Sequence, residues 1–161
     1  MPISKIGSGG EILAQRNEAV MAKRGLPVLS DIIIIEDETF DANRLEATLH
    51  LVLGRSAKIR RAQTLGTAID CVLATKPDIV FLDDYLKPSD TAMQTIPFLR
   101  RAGYDGPIIV ISGEIDRARR VELRAAGAVD ALHKDDLDSA KLSEALSRAF
   151  KSTGEKDKPA A

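Results

Sequence analysis

Three uninterrupted apolar runs limit the folds open to this chain more than any other feature of its sequence. They are Ile32–Ile35, Ile79–Leu82 and Ile108–Ile111. Each run is short and apolar at every position, so neither face of the corresponding strand suits contact with water. Strands of this kind belong in the middle of a parallel sheet that helices cover on both sides.

Two weaker runs, at residues 57–62 and 129–133, predict two further strands. The first of them carries Lys58 and Arg60, and these charges favour a position at the edge of the sheet. The sequence therefore predicts five strands in total.

Segments with apolar residues at helical spacing follow the strands. They contain Leu45, Leu49, Val52 and Leu53, then Leu65, Ala68, Ile69, Val72 and Leu73, then Ala92, Ile96 and Leu99, then Ala118, Val121 and Ala125, and finally Leu142, Ala145, Leu146, Ala149 and Phe150. Gly54 and Gly127 stand where the first and fourth of these helices should stop. A strand followed by a helix, repeated five times, predicts a doubly wound α/β fold with right-handed crossovers. Ligands of such folds bind beyond the carboxyl ends of the strands.

The two ends of the chain differ from this pattern, so we expect a single folded domain over residues 31–150. Residues 1–30 contain Gly7–Gly10 and a second break at Gly25–Pro27. Between the breaks lies an amphipathic pattern that predicts a short helix, which either frays against its own domain or pairs with a partner or a second copy of the chain. Residues 151–161 are polar, and we expect a disordered tail there.

Composition excludes several classes of function. The 161 residues are 44% apolar, which suits one substantial core. The net charge of -1 gives no general attraction to nucleic acid or to an anionic membrane. Cys71 is the only cysteine, so neither an intrachain disulfide nor a cysteine zinc site is expected. The first thirty residues lack a long apolar stretch. We therefore expect a soluble, cytoplasmic protein.

Acidic residues follow the predicted strands where ligands should bind. Glu36, Asp37 and Glu38 follow the first strand, and Asp83 and Asp84 end the third. Crowded carboxylates repel one another unless a cation neutralises them. Oxygen donors alone favour magnesium over zinc or copper.

The remaining strand ends supply the other groups that phosphoryl transfer requires. A strand-end carboxylate can act as a nucleophile toward phosphorus. Ser112 follows the fourth strand and Lys134 the fifth, so a hydroxyl, an ammonium and a metal would together bind the phosphoryl oxygens.

Four segments that contain these residues resemble the receiver domain of response regulators. The segments are Ile33–Glu38, Pro77–Asp83, Pro107–Ser112 and Ala126–Lys134, and the match covers about residues 31–150. The resemblance implies a CheY-like fold in which Asp37 and Asp83 bind Mg²⁺ directly, Glu36 binds it through water, and the backbone carbonyl of Tyr85 completes the protein ligands. It also implies that Asp83 accepts a phosphoryl group from a histidine kinase or a histidine phosphotransfer protein. Ser112 and Lys134 then contact the phosphoryl group, and the altered surface changes affinity for a downstream protein.

The sequence departs from the family pattern at two places. Pro88 lies four residues after Asp84, the usual distance from the acceptor, although the spacings to Asp78, Leu86 and Asp90 favour Asp83. Asp83 as acceptor places Lys87 at the usual proline position. Ala131 replaces an aromatic residue that is frequent three residues before the lysine, so the coupling of phosphorylation to output is expected to differ.

Three interpretations follow from these residues. The first is a stand-alone receiver that modifies itself and is otherwise not an enzyme. A pseudo-receiver that keeps the fold without regulated phosphorylation is the second. The third is an aspartyl-phosphate phosphatase of the haloacid dehalogenase type, which normally has a second aspartate where this chain has Tyr85.

Overall fold

The computed structural model of the chain describes residues 26–87 and 90–156. Its strands are β1 Asp31–Ile35, β2 Lys58–Ala62, β3 Ile79–Asp83, β4 Tyr85–Leu86, β5 Asp90–Thr91, β6 Ile108–Ser112 and β7 Asp130–His133. Its helices are α1 Thr39–Leu53, α2 Leu65–Ala74, α3 Ala92–Arg101, α4 Arg117–Ala126 and α5 Ser139–Lys156. The predicted N-terminal helix lies outside the described residues.

Five parallel strands form the main sheet in the order β2-β1-β3-β6-β7. The doubly wound (βα)5 fold that the sequence predicts is therefore confirmed. The chain moves outward from β1 to β2 and then crosses back to β3, so the strand order reverses between β1 and β3. This reversal opens a crevice at the carboxyl ends of the two strands.

Alternate residues of the central strands face two separate apolar cores. Ile32, Ile34 and Phe81 pack with α1 and α5 on one face. Ile33 and Ile35 pack with α2, α3 and α4 on the other. All five side chains are at most 1% exposed, which explains why these strands are apolar at every position.

The charged strand β2 lies at the edge of the sheet, as its sequence predicts. Arg60 explains how a basic residue is accommodated there. Its guanidinium donates to Asp31 Oδ1 at 2.9 Å and to the carbonyl oxygens of Cys71 and Thr75, both at 2.6 Å. These two carbonyls belong to the carboxyl end of α2, where a cation is favourable.

The described structure extends to both sides of residues 31–150. Leu26 and Leu29, which the sequence pattern places in the extension, are buried in the core beside α1 and α5. At the other end, the backbone of α5 continues past Phe150 to Lys156, into the segment predicted to be the tail. No proline interrupts the sequence before Pro159, so the backbone can stay helical. Residues 157–161 lie outside the described part of the chain.

Gly127, which ends α4, has a φ of +117°. We expect Gly127→Ala to destabilise the protein by about 1–2 kcal/mol, because a Cβ is strained in this backbone conformation. A Cβ there would also lie 3.4 Å from a methyl group of Ile96. Urea denaturation measures the change in the free energy of unfolding.

Gly66→Ala is the matched control. Gly66 lies in the first turn of α2, and a Cβ added there would have its nearest neighbour, the Thr64 hydroxyl oxygen, 4.0 Å away. Its substitution should leave the stability unchanged or raise it. Equal losses in the two variants would contradict the argument from the backbone conformation.

Candidate functional site

The carboxyl ends of four strands bring the predicted site residues to one edge of the sheet. Glu36 follows β1, Asp83 ends β3, Ser112 ends β6 and Lys134 follows β7. Asp83, Ser112 and Lys134, together with Asp37, line an open cavity of about 750 Å³. Glu36 is only 7% exposed. The parallel register therefore assembles residues that are nearly one hundred positions apart in the sequence.

Three carboxylates form a compact group within this edge. Glu36, Asp37 and Asp83 each offer an oxygen atom, and these atoms all lie within 4.8 Å of one another. Glu36 and Asp83 are buried, while Asp37 is half-buried. A donor set made only of carboxylate oxygens, open on one side, fits a hard divalent cation such as Mg²⁺.

Burial and mutual repulsion disfavour full ionisation of this group. Burial raises the pKa of Glu36 to about 8, and the negative charge of Asp83 adds to the effect. Burial also raises the pKa of Asp83, although the positive charge of Lys134 opposes this. The metal-free site therefore holds more protons than three separate carboxylates would.

Lys134 is the cation that contacts the group. Its Nζ lies 3.5 Å from Asp83 Oδ1, 3.5 Å from Glu36 Oε2 and 2.9 Å from Asp41 Oδ2. Burial lowers the pKa of Lys134, but the bond to Asp41 and the charges of Asp83 and Glu36 outweigh this and hold it above its ordinary value. The ammonium therefore stays charged beside Asp83.

The structure separates the two adjacent aspartates that the sequence leaves in competition. Asp83 lies with Glu36 and Asp37 in the carboxylate group and contacts Lys134. Asp84 instead accepts hydrogen bonds from Arg119, with its Oδ2 3.0 Å from Nε. The two side chains thus have different partners, and only Asp83 belongs to the compact carboxylate group.

The Ser112 hydroxyl is bound away from Asp83. Its oxygen lies 2.8 Å from the carbonyl oxygen of Glu114 and 3.2 Å from Asp84 Oδ2. The backbone N–H of Glu114 donates back to it at 3.2 Å. A hydroxyl has one proton to donate, so it must leave these acceptors to reach a group on Asp83.

The loop after Asp83 shows what a lysine does at the usual proline position. The backbone N–H of Lys87 donates to Asp37 Oδ2 at 3.0 Å, a bond that proline cannot make. Its ammonium also donates to Glu38 Oε1 at 2.8 Å. Tyr85 lines the cavity, and the role of its carbonyl as a ligand stays a prediction.

The loop is stabilised by structure that the sequence did not predict. Tyr85–Leu86 pairs with Asp90–Thr91 as a short antiparallel ribbon, and the Leu86 side chain is fully buried. Leu86, at the start of the altered loop, is therefore packed against the core.

His133, two residues after Ala131, is half-buried and makes a local hydrogen bond. Ala131 is 1% exposed in the core beside α4. His133, whose strand position gives it the same face, instead accepts a hydrogen bond from the N–H of Asp135 through Nδ1 at 3.0 Å. The histidine thus caps the turn that carries Lys134.

Sequence reasoning missed two residues of this site, Asp41 and Arg119. Asp41 lies in the first turn of α1, where an acidic residue is common and signals nothing special. Arg119 is one of four arginines in α4, a pattern that usually indicates a solvated face or a docking surface. Neither contact follows from spacing along the chain.

Comparison with known proteins places this geometry in a family. The family description "Response regulator receiver domain" matches residues 32–147, which is more than half of the chain. No curated protein matches the chain.

Solved structures of the same fold come from several bacteria. The signal receiver domain of a putative LuxO repressor protein from Vibrio parahaemolyticus is 19% identical, with 80% of this chain and 95% of that chain covered and a TM-score of 0.67. The receiver domain of NtrX from Brucella abortus is 22% identical, with coverage of 76% and 99% and a TM-score of 0.66. A response regulator protein from Burkholderia pseudomallei, solved with a phosphorylated aspartic acid, a calcium ion and citrate, is 23% identical, with coverage of 80% and 73% and a TM-score of 0.64.

The raised pKa of Glu36 predicts how the stability of the metal-free protein depends on pH. The pKa of Glu36 is raised to about 8 in the folded protein, whereas its ordinary value in an unfolded chain is 4.5. The folded state therefore binds more protons across this range, and the free energy of unfolding should fall as the pH rises through it. Urea denaturation at several pH values, with a chelator present, measures this slope.

Glu36→Gln cannot ionise, so we expect it to show a smaller fall over the same range and to be more stable than the wild type at pH 8. Glu144→Gln, in α5, lies away from the carboxylate group and should behave like the wild type. The same slope in Glu36→Gln and the wild type would show that Glu36 does not hold the additional proton.

Proposed function

The chain belongs to the response regulator receiver family, and from this premise we propose that it accepts a phosphoryl group on Asp83 in a two-component phosphorelay. The observation that carries the proposal is the group of three carboxylate oxygens within 4.8 Å, with the Lys134 ammonium beside Asp83. The donor would be a phosphohistidine of a sensor kinase or of a histidine phosphotransfer protein.

In the proposed reaction, a carboxylate oxygen of Asp83 attacks the phosphorus atom. The new oxygen–phosphorus bond forms as the bond from phosphorus to the donor histidine nitrogen breaks, and the histidine leaves with its electron pair. Lys134 lies where its ammonium can pair with a phosphoryl oxygen, and the Ser112 hydroxyl can donate to another. In these contacts, which Ser112 reaches by leaving its present acceptors, the two groups would lower the energy of a transition state in which charge is spread over the phosphoryl oxygens.

Magnesium fits the same group of residues. Glu36, Asp37 and Asp83 would hold the ion, with the Tyr85 carbonyl as a further ligand, and the ion would neutralise the phosphoryl charge. The bond from the Lys87 N–H to Asp37 Oδ2 fixes one of these carboxylates in position before any ion binds.

Asp83 is favoured over Asp84 because the two side chains differ in their partners. Asp84 is already paired with Arg119, and its carboxylate is not one of the three in the compact group. A phosphoryl group on Asp83 would adjoin the three-carboxylate group and Lys134, whereas both oxygens of Asp84 are engaged by the Arg119 guanidinium.

The expected output is a change in affinity for another protein. Contacts of the phosphoryl group with Ser112 and Lys134 would favour one conformation of the surface near α4 and β7 and so raise its population. Within residues 26–87 and 90–156, no helix combines the length and apolarity that a membrane crossing requires. We propose that the protein acts in the cytoplasm as a self-modifying switch, and that neither nucleic acid nor membrane binds it directly. A homodimer formed through residues 1–30 stays a prediction.

Intact mass spectrometry tests the acceptor. After incubation with acetyl phosphate and Mg²⁺, we expect the wild type and Asp84→Asn to gain one phosphoryl group and Asp83→Asn to gain none, because only Asp83 adjoins the metal site. Addition of a chelator should abolish the gain in the wild type.

Two results would contradict the assignment. An adduct in Asp83→Asn that is lost in Asp84→Asn would make Asp84 the acceptor. If no variant gained a phosphoryl group, with either Mg²⁺ or Mn²⁺, the pseudo-receiver interpretation would replace this proposal. Circular dichroism of each variant confirms that the comparison is made between folded proteins.

A further inference from the structure

Asp84, Arg119 and Ser112 form a second polar cluster in the cavity, apart from the three carboxylates of the metal site. Arg119 donates to both carboxylate oxygens of Asp84, through Nε at 3.0 Å and through a terminal nitrogen at 2.5 Å. Asp84 Oδ2 in turn accepts the Ser112 hydroxyl at 3.2 Å. The side chains of Asp84 and Arg119 are only 13% and 26% exposed. A two-point pair of this kind fixes the orientation of the carboxylate.

The backbone holds Asp84 at a junction of four elements. Its N–H donates to the Ile111 carbonyl in β6 at 2.9 Å, and its carbonyl accepts from the N–H of Ala92, the first residue of α3, at 2.8 Å. Its side chain reaches α4 through Arg119. The residue that directly follows the proposed acceptor in β3 therefore connects β6, α3 and α4.

Arg119 is itself held in place within α4. Its N–H donates to the Asp116 side chain at the start of the helix at 2.7 Å, and its guanidinium also contacts Glu122 Oε2 at 3.1 Å and Met93 Sδ at 3.2 Å. These contacts hold the guanidinium at the cavity, next to Asp84. Arg119 is thus part of the cavity wall and is not a freely solvated charge.

We propose that Arg119 is a positioning residue that orients Asp84 as an acceptor for the Ser112 hydroxyl and so keeps this hydroxyl away from the acceptor Asp83. The inference rests on the proposed function and adds a residue to it. Because the Ser112 hydroxyl has one proton, donating to a phosphoryl group on Asp83 and donating to Asp84 exclude each other. Occupation of Asp83 therefore removes one partner of Asp84, and Arg119 links this change to α4.

The proposed role and a role as a simple positive charge predict opposite effects of removing Arg119 on anion binding. If Arg119 only supplied positive charge to the cavity, its removal would weaken the binding of an anion at Asp83. If Arg119 holds Asp84 as one of the two acceptors of the Ser112 hydroxyl, beside the Glu114 carbonyl oxygen at 2.8 Å, its removal weakens the bonding that keeps the hydroxyl from Asp83 and strengthens that binding. If the effect acts through Ser112, it must disappear when the Ser112 hydroxyl is removed.

Trifluoroberyllate, an anion that mimics a phosphoryl group, provides the test. Fluorine NMR titrations with Mg²⁺ measure its affinity for the wild type, Arg119→Gln, Asp84→Ala, Ser112→Ala and the double variant Arg119→Gln/Ser112→Ala. We expect Arg119→Gln and Asp84→Ala to bind the anion more tightly than the wild type by about fivefold, the size expected for the loss of one competing hydrogen bond. In the Ser112→Ala background, Arg119→Gln should give no such gain.

Arg117→Gln is the matched control, since Arg117 is an exposed arginine at the first position of the same helix. It should bind the anion like the wild type. Arg119→Lys keeps the charge but lacks the two-point geometry, so it should also tighten binding and provides a second variant if Arg119→Gln does not fold.

Weaker or unchanged binding in both Arg119 variants would overturn the inference while leaving the proposed function intact, provided that the wild type binds the anion and Asp83→Asn does not. An equal gain with and without the Ser112 hydroxyl would overturn it too. If the wild type itself does not bind the anion, the proposed function fails and the inference fails with it.

Discussion

The crowding of Glu36, Asp37 and Asp83 at the switch in strand order is the constraint on which the functional edge of this protein depends. Their oxygens lie within 4.8 Å of one another in a partly buried setting. Such a group is stable only if protons, the Lys134 ammonium or a metal ion balance its charge. The same repulsion that makes three ionised carboxylates unfavourable favours the binding of a divalent cation, and the proposed function adds a phosphoryl group beside that cation.

Crowding charged groups at this edge of the sheet costs free energy, and the burial of the two apolar cores offsets that cost. Central strands apolar on both faces place the sheet between two helical layers, and burial of each large aliphatic side chain contributes about 1.5–3 kcal/mol. This stabilisation offsets the cost of burying Glu36, whose pKa is raised, and of keeping two charged clusters at the edge of the sheet. Asp83 and Asp84 have different surroundings at this edge, because Asp83 belongs to the group of three carboxylates and Asp84 pairs with Arg119 of α4. Under the proposed function, capture of the phosphoryl group and its transmission would depend on neighbouring residues with different partners.

The sequence predicts the strands and most of the site for a simple reason. Parallel strands end at one edge, so residues that follow the apolar runs must meet there, as Asp83 and Lys134 do. Contacts made by helices are harder to foresee, because the reach of Asp41 and Arg119 depends on how each helix is rotated and docked. The ribbon at Tyr85–Leu86 has too few residues to show the alternation of apolar and polar side chains that is typical of a strand. The resemblance to the family marks Lys87 as unusual, but it does not reveal the bond from its N–H to Asp37.

Residue-level trapping of the phosphorylated site tests the central claim most directly. Borohydride reduces an aspartyl phosphate to homoserine, and tandem mass spectrometry of the peptide that contains both Asp83 and Asp84 then locates the change. We expect homoserine at position 83 alone, and only when Mg²⁺ was present during phosphorylation. Homoserine at position 84, or its absence from both positions in a protein that has gained a phosphoryl group, would contradict the account.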